Sequence, residues 1–468
     1  MNESISIANP DSAGLNLQQK LALATGSIGI LILLVTIAGV HLNSNIFLPL
    51  SIAMLFAGAA WYAHASYGKQ PEGIKNNGVY HAALTNKGAI AWAIGIVLTG
   101  FYVLLYWFPA SLGLANESSS NTGIIALFDP LSQFFTGEPA DQWFVYGTLY
   151  TVAILAMGYK FLLKYRHNRY QTIRTLSVMF FQLFTAYLIP QILEGMHDDK
   201  AYFAKDIKNI WPLNHYFFES WHLDNMLSGG SLGMFYLVFG IFLFAVGTPI
   251  FSYFYGKRWY CSWVCGCGGL AETAGDPFRH NSTKTLRSWK IERWMVHGVL
   301  LLITIVTIVV LYGYFTNSDR FLGLSIYEYF TRPYGFVIGA AFSGVAGVGF
   351  YPILGNRVWC RFGCPLAAYI GLFQRFKSRF RITTNGDQCI SCGNCSTYCE
   401  MGIDVKAYAQ RGQNIVRSSC VGCGICSAVC PRGVLKLENG PEEGRFNHNP
   451  ELVGKLHEPK AFGISDQK

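Results

Sequence analysis

Between positions 389 and 430 the chain writes one cysteine spacing twice. The first copy reads Cys389-Ile-Ser-Cys392-Gly-Asn-Cys395-Ser-Thr-Tyr-Cys399, and the second reads Cys420-Val-Gly-Cys423-Gly-Ile-Cys426-Ser-Ala-Val-Cys430-Pro431. Three thiolates stepped along a tight loop can cap three corners of one iron–sulfur cube. The fourth lies beyond a three-residue turn, points away and ligates the other cube. The spacing therefore assigns Cys389, Cys392, Cys395 and Cys430 to one 4Fe–4S cluster, and Cys420, Cys423, Cys426 and Cys399 to a second. Gly393, Gly422 and Gly424 let backbone approach the inorganic core where a side chain would collide. Zinc is the weaker reading, because it takes four ligands per ion with a long spacer between pairs.

The rest of the chain has a different character. Its 468 residues are 51% hydrophobic, 15% aromatic and only 13% charged, against about 25% charged in a soluble domain. That deficit fits a protein with several membrane spans. The formal charge of +9 is spread between apolar runs rather than gathered in one patch, so anionic lipid is the expected counter-charge and nucleic acid is not expected as a partner. All 13 cysteines lie after residue 260, and none of their spacings forms a secreted disulfide framework. The first apolar run is too long for a signal-peptide core and is expected to be retained.

Runs long enough to cross a bilayer fall near 22–42, 45–66, 89–109, 143–163, 172–193, 231–254, 294–314 and 334–354. Lys and Arg cluster in alternate connections, including Lys160, Lys164, Arg166, Arg169 and Arg174, and then Lys257 to Arg293. By the positive-inside rule this places both termini and every cysteine on the cytoplasmic side of the membrane. The span centres are nearly free of charge, which argues against a pump or transporter. The connection 194–230 is aromatic and holds His197, His215 and His222. It is read as an interfacial belt, with a contact to a periplasmic partner or a quinol roof as the functional alternative.

A second internal repeat sits at the inner ends of the sixth and eighth spans. Gly256-Lys-Arg258-Trp-Tyr-Cys261-Ser-Trp-Val-Cys265 matches Gly355-Asn-Arg357-Val-Trp-Cys360-Arg-Phe-Gly-Cys364-Pro365. Pro249 and Pro352 are expected to break the preceding helices. A C-x3-C pair on a helix places both sulfurs on one face. Brought together, Cys261, Cys265, Cys360 and Cys364 would hold a third metal centre, either a further cluster or a soft ion such as copper. Redox-active thiols and a purely structural role remain the alternatives. Cys267 has no counterpart in the second copy, and Gly266 stands where that copy has Pro365.

The expected architecture is a multi-pass α-helical membrane protein with about eight spans and a C-terminal α+β two-cluster module like a bacterial ferredoxin. Its parts are an N-terminal tail (1–21), six spans (22–255), a C-x3-C loop (256–293), two spans (294–354), a C-x3-C-P loop with a basic interfacial helix (355–384), the ferredoxin-type domain (385–440) and a polar tail (441–468). The order of span, C-x3-C, span, C-x3-C-P and twin quartet resembles the membrane polyferredoxins grouped around NapH, the C-terminal half of NosR, and CcoG. The resemblance covers residues 230 to 440, and the first pair departs from it by lacking the proline. It implies inner-membrane transfer of single electrons between quinol and a partner protein through two 4Fe–4S clusters. A copper-handling reductase or oxidase-assembly factor using the C-x3-C pairs is the alternative.

Overall fold

Seven helices among the described residues are long and apolar enough to cross a bilayer. They are seen in a computed structural model that describes residues 15–68, 87–115, 120–196, 210–256, 259–376, 378–385 and 388–439. The spans are α1 (Leu17–Ile37), α2 (Ser44–Tyr67), α3 (Ala89–Trp107), α5 (Gln142–Lys164), α6 (Arg169–Met196), α8 (Gly230–Phe254) and α11 (Leu286–Thr316). A shorter helix, α4 (Gly123–Thr136), lies between α3 and α5, and α7 (Ser220–Ser228) leads into α8. Residues 1–14 and the polar tail beyond 439 lie outside the description.

The eighth expected span, 334–354, is helical but is not one α-helix. It runs through wide π-type turns at Tyr327–Thr331 and Gly335–Ala346, joined by short α-helical pieces. A small antiparallel hairpin, β1 (Arg320–Phe321) with β2 (Leu324–Ser325), precedes it. All of the wide turns but Gly335–Ala346 obey a rule. Those at Phe181–Leu188, Leu243–Gly247, Tyr327–Thr331 and Trp359–Gly363 each end two residues before a proline, at Pro190, Pro249, Pro333 and Pro365. Proline offers no N–H to the carbonyl four residues back and its ring crowds that carbonyl, so the helix widens there to keep its remaining bonds. Pro249 therefore does not break its helix as expected, because α8 continues through it to Phe254.

The larger departure concerns the two C-x3-C segments. Each is followed by a helix that turns back into the bundle. After α9 (Trp259–Trp263), α10 (Gly266–Glu272) inserts beside α5 and α6. A Cβ on Gly269 would touch Val178 and Ile154. Ile154 lies ten residues before the end of α5 at Lys164, roughly 15 Å along a helix. In the second copy, α12 (Pro365–Phe376) packs against α8 and α11, and the Tyr369 hydroxyl donates to the Phe244 carbonyl (2.8 Å) in mid-α8. The basic helix expected within 355–384, over 373–381, continues only to Phe376. Residues 365–371 of α12 are buried except Tyr369, and its chain ends at Phe376 and gives way to a strand, β3 (Phe380–Thr384). From the opposite end, the 210–219 connection dips inward. Ile210 packs in the same core as Cys261, Cys265 and Cys364, and Trp211 Nε1 donates to Thr307 (2.9 Å) in mid-α11.

Small residues allow the closest helix contacts. A Cβ at Gly58 of α2 would stand 2.6 Å from the backbone nitrogen of Gly26 in α1, and Ser51 donates to the Gly29 carbonyl (3.0 Å). Such close approach supplies packing where lipid offers no hydrophobic drive. Gly58→Leu should therefore separate α1 from α2 and cost about 1–3 kcal/mol. Thermal unfolding in detergent would show this as a lowered midpoint, and an unmoved midpoint would refute the contact.

Candidate functional site

The C-terminal module is built from two cysteine-bearing halves joined by one strand pair. β3 pairs antiparallel with β4 (Leu435–Asn439), with Ile382 opposite Leu437. Between them lie α13 (Asn394–Thr397), α14 (Val405–Gln410) and α15 (Ile425–Ala428). Gly393 and Gly424 cap α13 and α15 at φ 81° and 70°. That left-handed conformation carries little cost for glycine, and it turns each loop around its own set of sulfurs.

The two halves exchange one cysteine each. One cavity is lined by Cys389, Cys392, Cys395 and Cys430. The other is lined by Cys399, Cys420, Cys423 and Cys426. Among the described residues no three His, Cys, Asp or Glu side chains converge tightly enough to hold a single metal ion. Four sulfurs spread around a cavity suit a body larger than one ion, with an iron at each corner. The donor chemistry also fits. Burial pushes the Cys395 thiol up to about 12 and the Cys399 thiol up to about 11, so these sulfurs carry charge readily only when a cation compensates them. The Ile403 backbone N–H donates to Cys399 Sγ (3.4 Å), a contact that tunes a ligand sulfur.

The cavities face different ways. Cys392 is exposed beside Ile390, itself 51% exposed. The second cavity is pressed against the bundle. Tyr170 OH donates to the Gly422 carbonyl (2.9 Å), Gln171 Nε2 to the Cys423 carbonyl (2.6 Å) and Ser262 Oγ to the Val421 carbonyl. Ser262 lies between Cys261 and Cys265, so one C-x3-C turn touches the second quartet directly.

Cys261, Cys265, Cys360 and Cys364 are brought together as well. All four are buried, and three of them share one hydrophobic core with the partly buried Cys267. The Arg357 guanidinium reaches Cys360 Sγ (3.8 Å) and the Cys261 carbonyl (3.3 Å), bridging the two copies of the repeat.

Sequence reasoning missed the charged network between these sites. Arg357 Nη2 pairs with Glu272 (2.5 Å) and Glu400 (3.1 Å). Glu400 also lines the second cavity and pairs with Arg279 (3.0 Å). Arg279 pairs with Asp276 (2.8 Å), Asp276 with Lys164 (2.7 Å), and Arg174 with Glu272. A separate pair, Arg361 with Glu292 (2.8 Å), ties the second C-x3-C turn to α11. Two signals in the sequence could have pointed here: Glu400 directly follows a cluster cysteine, and Arg357 is the basic residue shared by both repeat copies.

Of the outer-loop histidines, His222 is buried and its Nδ1 contacts the Phe217 carbonyl (3.1 Å). His215 lies against the wide-turn segment near Gly335 and Gly339. His197 is outside the described residues.

Known proteins share parts of this arrangement. The family described as "4Fe-4S dicluster domain" matches residues 381–431. The family described as "4Fe-4S binding domain" matches twice, at 237–285 and 337–383, once over each C-x3-C pair. The chain thus carries domains of the 4Fe-4S kind that the resemblance implies. It is similar to the putative electron transport protein YccM of Escherichia coli (strain K12), 28% identical over 33% of this chain and 44% of that protein. It is also similar to the methylamine utilization ferredoxin-type protein MauN of Paracoccus denitrificans (strain Pd 1222), 29% identical over 37% of this chain and 60% of that protein. The matched region thus spans about half the length of these relatives. No solved structure matches the chain. Domains of the 4Fe-4S kind thus accompany a set of membrane-length helices.

The network makes two testable demands. Glu400→Gln leaves Arg357 and Arg279 short of counter-charge in a buried site, at a cost of about 3 kcal/mol, read as a lower unfolding midpoint. For Asp276, burial alone would raise the carboxyl, but Lys164 and Arg279 hold it well below the usual carboxylate range. Its stabilisation is complete above the unfolded value of about 4 and is lost as pH falls through the folded value. Acidification from about pH 6 to about pH 3 should therefore destabilise the native chain more than Asp276→Asn, and parallel losses would contradict the pairing.

Proposed function

We propose that the chain carries single electrons between a membrane quinol, or another membrane redox partner, and a second protein, by way of two 4Fe–4S clusters. The reading rests above all on the exchange of one cysteine between the quartets. Cys389, Cys392, Cys395 and Cys430 would hold one cluster, and Cys420, Cys423, Cys426 and Cys399 the other. Such clusters, when bound, accept and release one electron at a time. The protein's part is to bury the second cavity against the bundle, to leave the first open at Cys392 for a partner, and to set local charge with Glu400 and the backbone amide of Ile403.

Cys261, Cys265, Cys360 and Cys364 are proposed to hold a third metal centre within the bundle, next to the second quartet. Burial of all four thiols and the Arg357 contact support it. The basic connections support a cytoplasmic placement of the module in a bacterial inner membrane. An impermeant thiol reagent should then label apo-protein Cys392 in inverted vesicles and not in intact spheroplasts.

Iron and acid-labile sulfide should be counted, with EPR, on anaerobically purified protein. Two clusters require about eight irons, and a third cluster requires about twelve. Cys360→Ser should then lose about four irons while the quartet signals persist. A count of eight, unchanged by the substitution, would remove the third centre. Copper retained through Cys360 in place of iron would favour metal handling instead, a reading to which the extra sulfur of Cys267 lends weight. Colourless protein without iron would end the electron-transfer reading.

A further inference from the structure

The two cysteine-bearing halves of the module correspond residue by residue, and the bundle covers only one of them. Cys389-Ile390-Ser391-Cys392 answers to Cys420-Val421-Gly422-Cys423, and Cys430-Pro431-Arg432-Gly433 answers to Cys399-Glu400-Met401-Gly402. Val421 and Met401 line the second cavity, as Ile390 and Arg432 line the first. At the second cavity this face is closed. Val421 is 2% exposed, its carbonyl accepts from Ser262, and Met401 is buried too. At the first cavity the corresponding face is bare. Ile390 is 51% exposed, and Ser391, Cys392, Pro431 and Arg432 are exposed with it.

The bare face is nevertheless held in shape, and its rim is basic. Ser391 takes φ 59°, a left-handed conformation that its counterpart Gly422 adopts at 69° without steric cost. A non-glycine residue persists there only where its surroundings fix it, and such positions gather at functional sites. Here Gln410 Nε2 donates to Ser391 Oγ (2.7 Å) and fixes the loop that presents Ile390 and Cys392. Lys406 and Arg432 line the first cavity, and no described carboxylate does. Arg411 follows Gln410 at the end of α14 and is exposed. The module's described carboxylates are engaged elsewhere. Glu400 is enclosed with the bundle's arginines, Asp404 accepts from Ser396 Oγ (2.8 Å), and Glu438 pairs with Lys436 (3.7 Å). An exposed apolar side chain beside a cluster ligand, with positive charge around it, suits brief docking: the apolar centre makes the contact and the charges steer the approach.

We propose that the face formed by Ile390 and Cys392, with Lys406, Arg411 and Arg432 around it, docks a soluble one-electron redox protein whose own centre is ringed by carboxylates. This rests on the electron-carrier reading above and adds to it the surface used and the chemistry of the soluble partner. The contact is of the small, transient class that electron exchange uses. One electron passes from the chain to the partner's centre, which is reduced as the chain is oxidised. No bond forms or breaks, and the reverse transfer uses the same contact. Anionic lipid offers the same charge but no electron acceptor, and neutral detergent removes it from the test.

The full chain, in neutral detergent with its clusters loaded, is reduced by dithionite, freed of excess reductant and mixed by stopped flow with an acidic flavodoxin or with cationic cytochrome c. The rate to flavodoxin should fall about tenfold as salt rises from about 20 mM to about 300 mM, and the rate to cytochrome c should rise. At low salt, Lys406→Glu with Arg432→Glu should slow flavodoxin about tenfold and speed cytochrome c. A change in cluster potential would move both rates the same way, so opposite changes are the mark of docking. Arg411→Glu, outside the cavity lining, should act in the same sense about threefold and serves if the double variant fails to load. If flavodoxin is reduced without these salt and charge effects, or both acceptors shift together, the docking face is wrong while the carrier reading stands. If the reduced chain passes electrons to neither protein yet is reoxidised by ferricyanide, both the face and the protein-partner half of that reading fail.

Discussion

A buried set of ion pairs joins the iron–sulfur module to the helical bundle. Arg357 and Arg279 come from the bundle's inner connections, and Glu400 comes from the module. Each of these side chains is almost fully enclosed. Charges so placed are expensive to desolvate, and their mutual attraction compensates only when every partner is present and well placed. The network therefore says less about net stability than about position. It admits one docking of the module and penalises others, because any shift would strand a charge.

That docking also fixes which cavity faces the bundle and which faces outward. The module presents its second quartet to the bundle through Ser262, Gln171 and Tyr170, and turns its first quartet toward solvent at Cys392. The first C-x3-C turn reaches the second quartet through Ser262. Packing alone thus orders three sulfur sites: the buried thiols of the bundle, the second cavity beside them, and the open first cavity. Arg357 stands between two of them, touching Cys360 Sγ on one side and Glu400 on the other, where it senses charge added to either.

The bundle is shaped to admit these inserted turns. Wide helical turns two residues ahead of Pro190, Pro249, Pro333 and Pro365 bend the surrounding segments, and glycines such as Gly269 and Gly344 remove the side chains that would block the approach. The two copies of the repeat obey the same plan. Gly256 and Gly355 both take positive φ, at 58° and 96°, where the chain leaves its span and turns toward its cysteines.

Cysteine spacing and apolar run length are local properties of the chain. By themselves they determined two four-sulfur sites with one ligand exchanged, and a body of membrane-length helices. Three of each site's four ligands written within seven residues leave the backbone few ways to present them, and a twenty-residue apolar run has few alternatives to a span. Tertiary structure alone decided the rest. Lys164, Arg174 and Arg279 look in sequence like loop charges facing the cytoplasm. They are instead enclosed and paired, because each network they join closes through residues distant in the chain and no local pattern announces it. The inward turn of α10 and α12 and the inward dip of residues 210–219 were hidden for the same reason. Short apolar segments read as loops until the surrounding helices provide a cavity for them to fill, and only the assembled bundle shows that cavity.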